Sequence, residues 1–133
     1  MCVSLFWEPL IAVGPFKFGT SIQQYIEMYS LQFVDDTDEV DCWLTYITPD
    51  KTTYIYAEGE NIVSIACYEC LFYQDQNLIG LSVSEIRKLL GNEDEIGEVV
   101  GGGIPIEYFS LGLQLWVQEE FVTDVTCYST IEN

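Results

Sequence analysis

A chain of 133 residues fits one domain and is long enough to bury a core, and 49% apolar with 14% aromatic residues is a globular rather than a disordered composition. Twenty-two Asp and Glu face four Lys and Arg (Lys17, Lys51, Arg87, Lys88), a formal charge of −18, and there is no histidine. The missing imidazole excludes Ser/His and Cys/His nucleophilic catalysis and the usual His-bearing zinc sites, while the acidic field repels nucleic acid and anionic membrane and attracts cationic surfaces.

Residues 3–12 read as a strand or extended arm ending near Pro9, with a turn at Gly14-Pro15 and a short extended Phe16-Lys17-Phe18. Neither a basic n-region nor a long apolar h-region marks Met1–Trp7, and no run of eighteen apolar residues occurs, so a cytoplasmic protein with reduced thiols is expected. Thr20 or Ser21 can cap a helix over about 21–31, in which Ile22, Tyr25, Ile26, Met28 and Tyr29 recur at helical spacing. The acidic run 35–39 is a solvated connection. Strands are expected over 41–47 and 52–58, joined by the turn residues Thr48-Pro49-Asp50-Lys51, and a long strand over 61–73 follows Gly59.

Gln74–Asn77 links this unit to a second. There Ser82 and Glu85 form a capping box, Val83, Ile86, Leu89 and Leu90 make a buried stripe, and Gly91 ends the helix. Gly101-Gly102-Gly103 reads as a mobile insertion, and strands are expected at about 105–109, 112–118 and 120–129.

The two units echo one another. Gly19-Thr20-Ser21-Ile22 matches Gly80-Leu81-Ser82-Val83 at an offset of 80 − 19 = 61, and Ser64–Tyr68 matches Asp124–Tyr128 at 124 − 64 = 60. The expected fold is therefore α+β: an antiparallel sheet of two tandem helix-strand-strand-strand units with the helices on one face. It forms a single domain over 1–133 with an internal duplication at about 16–73 and 78–130.

Alternation along the strands assigns faces. Leu113, Leu115, Val117, Phe121, Val125 and Cys127 point to the core, and Ile55, Ile65 and Cys67 take the same side. Tyr54, Tyr56, Tyr68, Trp116 and Tyr128 then share the outer side, rimmed by Glu58, Glu60, Glu119, Glu120 and Asp124. Tyr and Trp dominate interface hot spots, which makes these ten residues candidate partner-binding residues. The alternative is that Phe6, Trp7 and Phe16 fold over the rings and bury them.

Other constellations point to no chemistry. Cys67 and Cys70 form a C-x-x-C with no second pair at metal-site spacing, and packed thiols account for Cys67 and Cys127. The acidic run from Asp35 to Asp41 lacks the glycine and terminal glutamate of a calcium loop, and Gly101–Gly103 lacks the Lys-Ser/Thr of a phosphate loop. No catalytic residue, metal or cofactor is expected.

The segment Leu78-Ile79-Gly80-Leu81-Ser82-Val83-Ser84-Glu85-Ile86-Arg87-Lys88-Leu89-Leu90-Gly91 resembles the helix of the small lipoprotein of the outer-membrane barrel-assembly machinery. The tandem units also resemble those of the β-lactamase inhibitor protein, whose doubled unit forms a concave sheet that grips an enzyme. In size, acidity and the run Glu107-Tyr108-Phe109-Ser110-Leu111-Gly112-Leu113-Gln114-Leu115-Trp116, the chain resembles bacterial immunity proteins, including those of contact-dependent growth inhibition. That resemblance implies a protein that neutralises a cognate cationic toxin domain, often a basic nuclease, with no direct contact to nucleic acid or membrane. The other expectation is an acidic nucleic-acid mimic or adaptor from a mobile element, with carboxylates spaced like phosphates along one face.

Overall fold

The computed structural model describes residues 5–34 and 43–129, the side chain of Trp43 excepted. The first described segment is a meander of three two-residue strands, β1 (Trp7–Glu8), β2 (Ala12–Val13) and β3 (Phe16–Lys17): the single arm expected over 3–12 is broken before Ala12, whereas the turn at Gly14 and the short extended piece from Phe16 are present. Leu10 and Gly14, with φ of 68° and 58°, reverse the chain between them. Trp7, Val13 and Phe16 are thereby buried on one side.

Helix α1 (Gln23–Ile26) has four residues, far short of 21–31. Its N-cap residue, Ile22, has no side-chain cap; Ser21 Oγ accepts from the Gln23 amide at 3.2 Å, the Thr20 hydroxyl donates back to the Lys17 carbonyl at 2.7 Å, and Ser30 at φ 56° turns the chain away. Then come β4 (Gln32–Val34), β5 (Trp43–Ile47), β6 (Thr53–Glu58) and β7 (Asn61–Cys67). The expected acidic connection 35–39 lies outside the described residues.

The long strand expected to 73 stops at Cys67. Beyond it β8 (Phe72–Tyr73) and β9 (Gln76–Asn77) form a separate hairpin around Gln74 and Asp75, both at positive φ. Asn77 holds this corner: its Oδ1 accepts from the amides of Leu71 (3.0 Å) and Ile79 (3.1 Å), and its Nδ2 donates to the Glu69 carbonyl (3.2 Å). One polar side chain satisfies backbone groups that a continued ladder would otherwise have paired.

Helix α2 (Val83–Leu90) has both hydrogen bonds of its capping box, with Ser82 Oγ accepting from the Glu85 amide and Glu85 accepting from the Ser82 amide. Strands β10 (Glu95–Ile96), β11 (Ile104–Tyr108), β12 (Leu113–Gln118) and β13 (Phe121–Tyr128) complete the chain, with a 3-10 turn at Phe109–Leu111. The glycine segment closes as a tight turn. Val100 and Gly103 exchange both backbone hydrogen bonds, and Gly103 packs against Trp116 and Gln118.

Eight strands make one antiparallel sheet in the order β10-β11-β12-β13-β7-β6-β5-β4. This overturns the expected α+β arrangement of two helix-strand-strand-strand units with helices on one face: the protein is mostly antiparallel β, 48% strand against 13% helical. The reason is dimensional. An eight-stranded sheet is roughly 34 Å wide, whereas an eight-residue helix is about 12 Å long and a four-residue one about half that, so two such helices cannot form a covering layer. The β1–β3 meander and the β8–β9 hairpin share that task, bringing Leu5, Trp7, Phe16, Leu71 and Leu78 into the same buried cluster as Ile22 and Ile86.

The two halves of the sheet have one register. In β6–β7, Thr53 opposes Cys67, Ile55 opposes Ile65 and Tyr56 opposes Ser64, with a shift between Tyr56 and Ala57. In β12–β13, Leu113 opposes Cys127, Leu115 opposes Val125 and Trp116 opposes Asp124, with a shift between Trp116 and Val117; each position lies 113 − 53 = 60 residues on. The halves join where β7 pairs antiparallel with β13, Val125 opposite Cys67, Thr126 opposite Ala66 and Cys127 opposite Ile65. The seam is thus symmetric about Ala66 and Thr126, and Ile55, Ile65, Leu115 and Val125 are all 0% exposed beneath it.

Candidate interaction surface

Because side chains alternate across a strand, everything opposite that core lies on the second face of the sheet. The register fixes its rows. One runs Ile47, Tyr54, Ala66, Thr126, Gln114, Glu107, Glu95 across seven strands. A second runs Thr45, Tyr56, Ser64, Tyr128, and a third carries Asp124, Trp116 and Pro105.

The five expected aromatic residues are brought together on this face. Tyr54, Tyr56, Trp116 and Tyr128 are half-buried and Tyr68 is 46% exposed. Tyr54 and Tyr68 meet edge to face, with centroids 5.6 Å apart at 80°. The N-terminal aromatics do not cover them: Phe6 packs on Phe72, Trp7 on Tyr73, and Phe16 on Tyr25 and Tyr29, all on the helix side. Among the described residues, no second layer lies over the rings.

A polar chain organises one end of the face. Trp116 Nε1 donates to Gln114 Oε1 at 2.9 Å, Gln114 Nε2 donates to one Glu107 carboxylate oxygen, and the Tyr128 hydroxyl donates to the other at 3.4 Å. Partial burial, together with the Glu107 charge, pushes the Tyr128 hydroxyl up to about 12, and burial with the nearby Asp124 carboxylate raises Tyr68. Both phenols are held neutral at ordinary pH.

The expected acidic rim is divided. Asp124 lies on the face beside Trp116. Glu58 and Glu60 sit at the β6–β7 tip, where Glu60 accepts from Ser21 Oγ at 3.3 Å, while Glu119 and Glu120 form the β12–β13 tip. The antiparallel seam sends these tips to opposite ends of the sheet, on the order of 35 Å apart at ~3.3 Å per residue. Glu119 and Glu120 also border a groove with Val83 and Arg87 on the helix side. Glu107, Gln114 and Thr126 belong to the face yet were not among the candidates; alternation in Ile104–Tyr108, with Ile106 and Tyr108 buried, places Glu107 outward.

Cys67 and Cys127 are free and buried, and burial pushes the Cys67 thiol up to about 12 and Cys127 well above its ordinary value. Cys70, in contrast, is disulfide-bonded, against the expectation of reduced thiols throughout. Among the described residues no group of three or more Cys, Asp or Glu is placed to hold a metal, and no helix is long and apolar enough to cross a membrane. Comparison with family models, with curated proteins and with solved structures gives no match.

Proposed function

We propose that this chain is a stoichiometric inhibitor, an immunity protein that neutralises a cognate cationic toxin domain, a basic nuclease, by seating it on the open face of the sheet. The observation that carries this reading is the uncovered aromatic face. Tyr54, Tyr56, Tyr68, Trp116 and Tyr128 share one side, over which the described residues place no second layer on Tyr54, Tyr68, Trp116 and Tyr128, and such rings supply contact area at low entropic cost. The −18 charge steers a basic domain toward it and speeds association by ~10 to 1,000-fold at low salt. The chain performs no reaction of its own in this reading, and touches neither nucleic acid nor membrane.

The mimic alternative fits less well. It asks for carboxylates along one face, whereas Glu58, Glu60, Glu119 and Glu120 gather at two distant tips. A cytoplasmic site of action follows from the reading, and the Cys70 disulfide weighs against it. Counting free thiols in protein taken from cytosol under alkylation settles that point.

The test is co-expression with the product of the adjacent reading frame. Growth rescue, a 1:1 complex and loss of both on combining Tyr56→Ala with Trp116→Ala support the reading. Failure to form a complex, or a complex indifferent to both substitutions, removes it.

A further inference from the structure

The scaffold of the open face is symmetric but its chemistry is not. At the offset of 60, Ile47 corresponds to Glu107, Tyr54 to Gln114, Tyr56 to Trp116, Ser64 to Asp124 and Tyr68 to Tyr128. At these positions the first half of the face is neutral, Glu58 standing only at its β6–β7 tip, and the second half sets one carboxylate on each side of an indole, with Glu95 beyond Glu107. We infer that the second half is a receptor for an arginine side chain of the partner, its guanidinium stacked on Trp116 between Glu107 and Asp124, while the neutral tyrosine half takes an apolar ridge beside it. This rests on the proposed inhibitory function and fixes the partner's orientation.

Three observations support the assignment. Trp116 is tethered through Gln114 to Glu107 on the neighbouring strand β11 and is the direct cross-strand neighbour of Asp124 on β13, so the indole stands between two strands that each present a carboxylate. Guanidinium, planar and weakly hydrated, stacks on indole and pairs with carboxylate better than ammonium does. This half of the face is also charged at a cost to the fold. Glu107 stands directly opposite Glu95 across the edge pair, a destabilising placement, and the ion pair found among the described residues, Arg87 with Glu93 at 2.9 Å, belongs to α2 rather than to this face. A cation supplied from outside relieves that repulsion.

The symmetry also explains why a second copy of this chain is not the occupant. Pairing two such faces about a two-fold axis supplies no cation whichever halves meet, and leaves the carboxylates desolvated and unpaired.

The experiment uses the full-length chain, isotope-labelled for NMR, titrated with short oligoarginine and oligolysine peptides. Expected are early shifts of the Trp116 indole N–H and the Gln114 side-chain amide, tighter binding of oligoarginine than oligolysine, and about 10-fold weaker binding by Glu107→Gln or Asp124→Asn. Asp75→Asn, exposed in the β8–β9 hairpin on the helix side, should leave affinity within a factor of about two. Thermal unfolding checks that each variant is folded, and Glu107→Gln should be no less stable because it removes a like-charge pair. Shifts centred on the hairpin tips, or an unchanged affinity in folded Glu107→Gln, overturn the inference. The two proposals fail separately: peptide binding at Trp116 without any toxin complex refutes only the inhibitory function. A toxin complex through this face that ignores Glu107 and Asp124 refutes only the arginine receptor.

Discussion

The seam between the two halves of the sheet offers a quantitative test of how the fold is held. Ile65 is fully buried, opposite Ile55 on one side and Cys127 on the other. Ile65→Ala removes three carbons, about 2.4 kcal/mol of transfer free energy at ~0.8 kcal/mol each, and leaves a cavity that adds about 1–2 kcal/mol, for a loss of about 4 kcal/mol. Val125→Ala, at the matching place in the other half, removes two carbons and should cost about 2.5 kcal/mol by the same arithmetic. Urea unfolding at fixed ionic strength is the assay, since the self-repulsion of an 18-fold negative chain changes with salt. The urea dependence should stay the same while the midpoint falls. A loss at Ile65 below about 1.5 kcal/mol, smaller than transfer alone, would falsify the packed seam.

Four further outcomes follow from named contacts. Gly112 has φ 63° and ψ 48°, and a Cβ there would overlap the Tyr128 carbonyl oxygen and crowd Leu10; Gly112→Ala should cost more than about 2 kcal/mol and broaden the Tyr128 resonances. Glu119 and Glu120 both hold positive φ, 52° and 72°, in a two-residue hairpin turn, so Glu119→Asn with Glu120→Gly should raise the urea midpoint by about 1 kcal/mol equivalent; a fall would mean the carboxylates stabilise the tip. Ser82→Ala should lower stability by about 1 kcal/mol through loss of the cap on α2, as read by chemical denaturation. Tyr108 and Tyr128 are raised from 10 to about 12, so their share of stability is complete below pH 10 and lost as pH rises toward 12; Tyr108→Phe and Tyr128→Phe should each flatten the alkaline limb of a stability–pH curve, and an unchanged limb would contradict the shifts.

What the sequence made legible was local. The Ser82–Glu85 box and Gly91 mark α2 within a residue because every partner lies inside a few positions of chain. Alternation in Leu113–Gln118 and Phe121–Tyr128 identified the core side for the same reason, although Phe121 at the strand's start is 53% exposed. Failures came where distant atoms decide. The chain leaves the sheet after Cys67 because the Asn77 side chain satisfies backbone at Glu69, Leu71 and Ile79, a contact no periodicity encodes. Residues 21–31 have helical spacing, yet Ser21 and Ile22 bond instead to the β6–β7 tip, the Ile22 amide donating to the Glu60 carbonyl at 2.7 Å. Of the face itself the rings were readable. For Glu107 alternation marks only the outward direction, and its meeting with Gln114 and Glu95 depends on β11 pairing with β12 and β10.

The edge strands of the sheet bear on a different property, the behaviour of the protein at high concentration. Edge strands at the margins of a broad sheet are the usual template for growth of fibres. Here those margins are only three and two residues long, Gln32–Val34 and Glu95–Ile96, and one of them begins with a carboxylate facing another. Strand addition could gain few backbone hydrogen bonds and would meet concentrated negative charge. The acidity that steers a basic partner onto the broad face thus also guards the margins, so neutralising the chain near its pI of about 4.1 should cause it to aggregate before it unfolds.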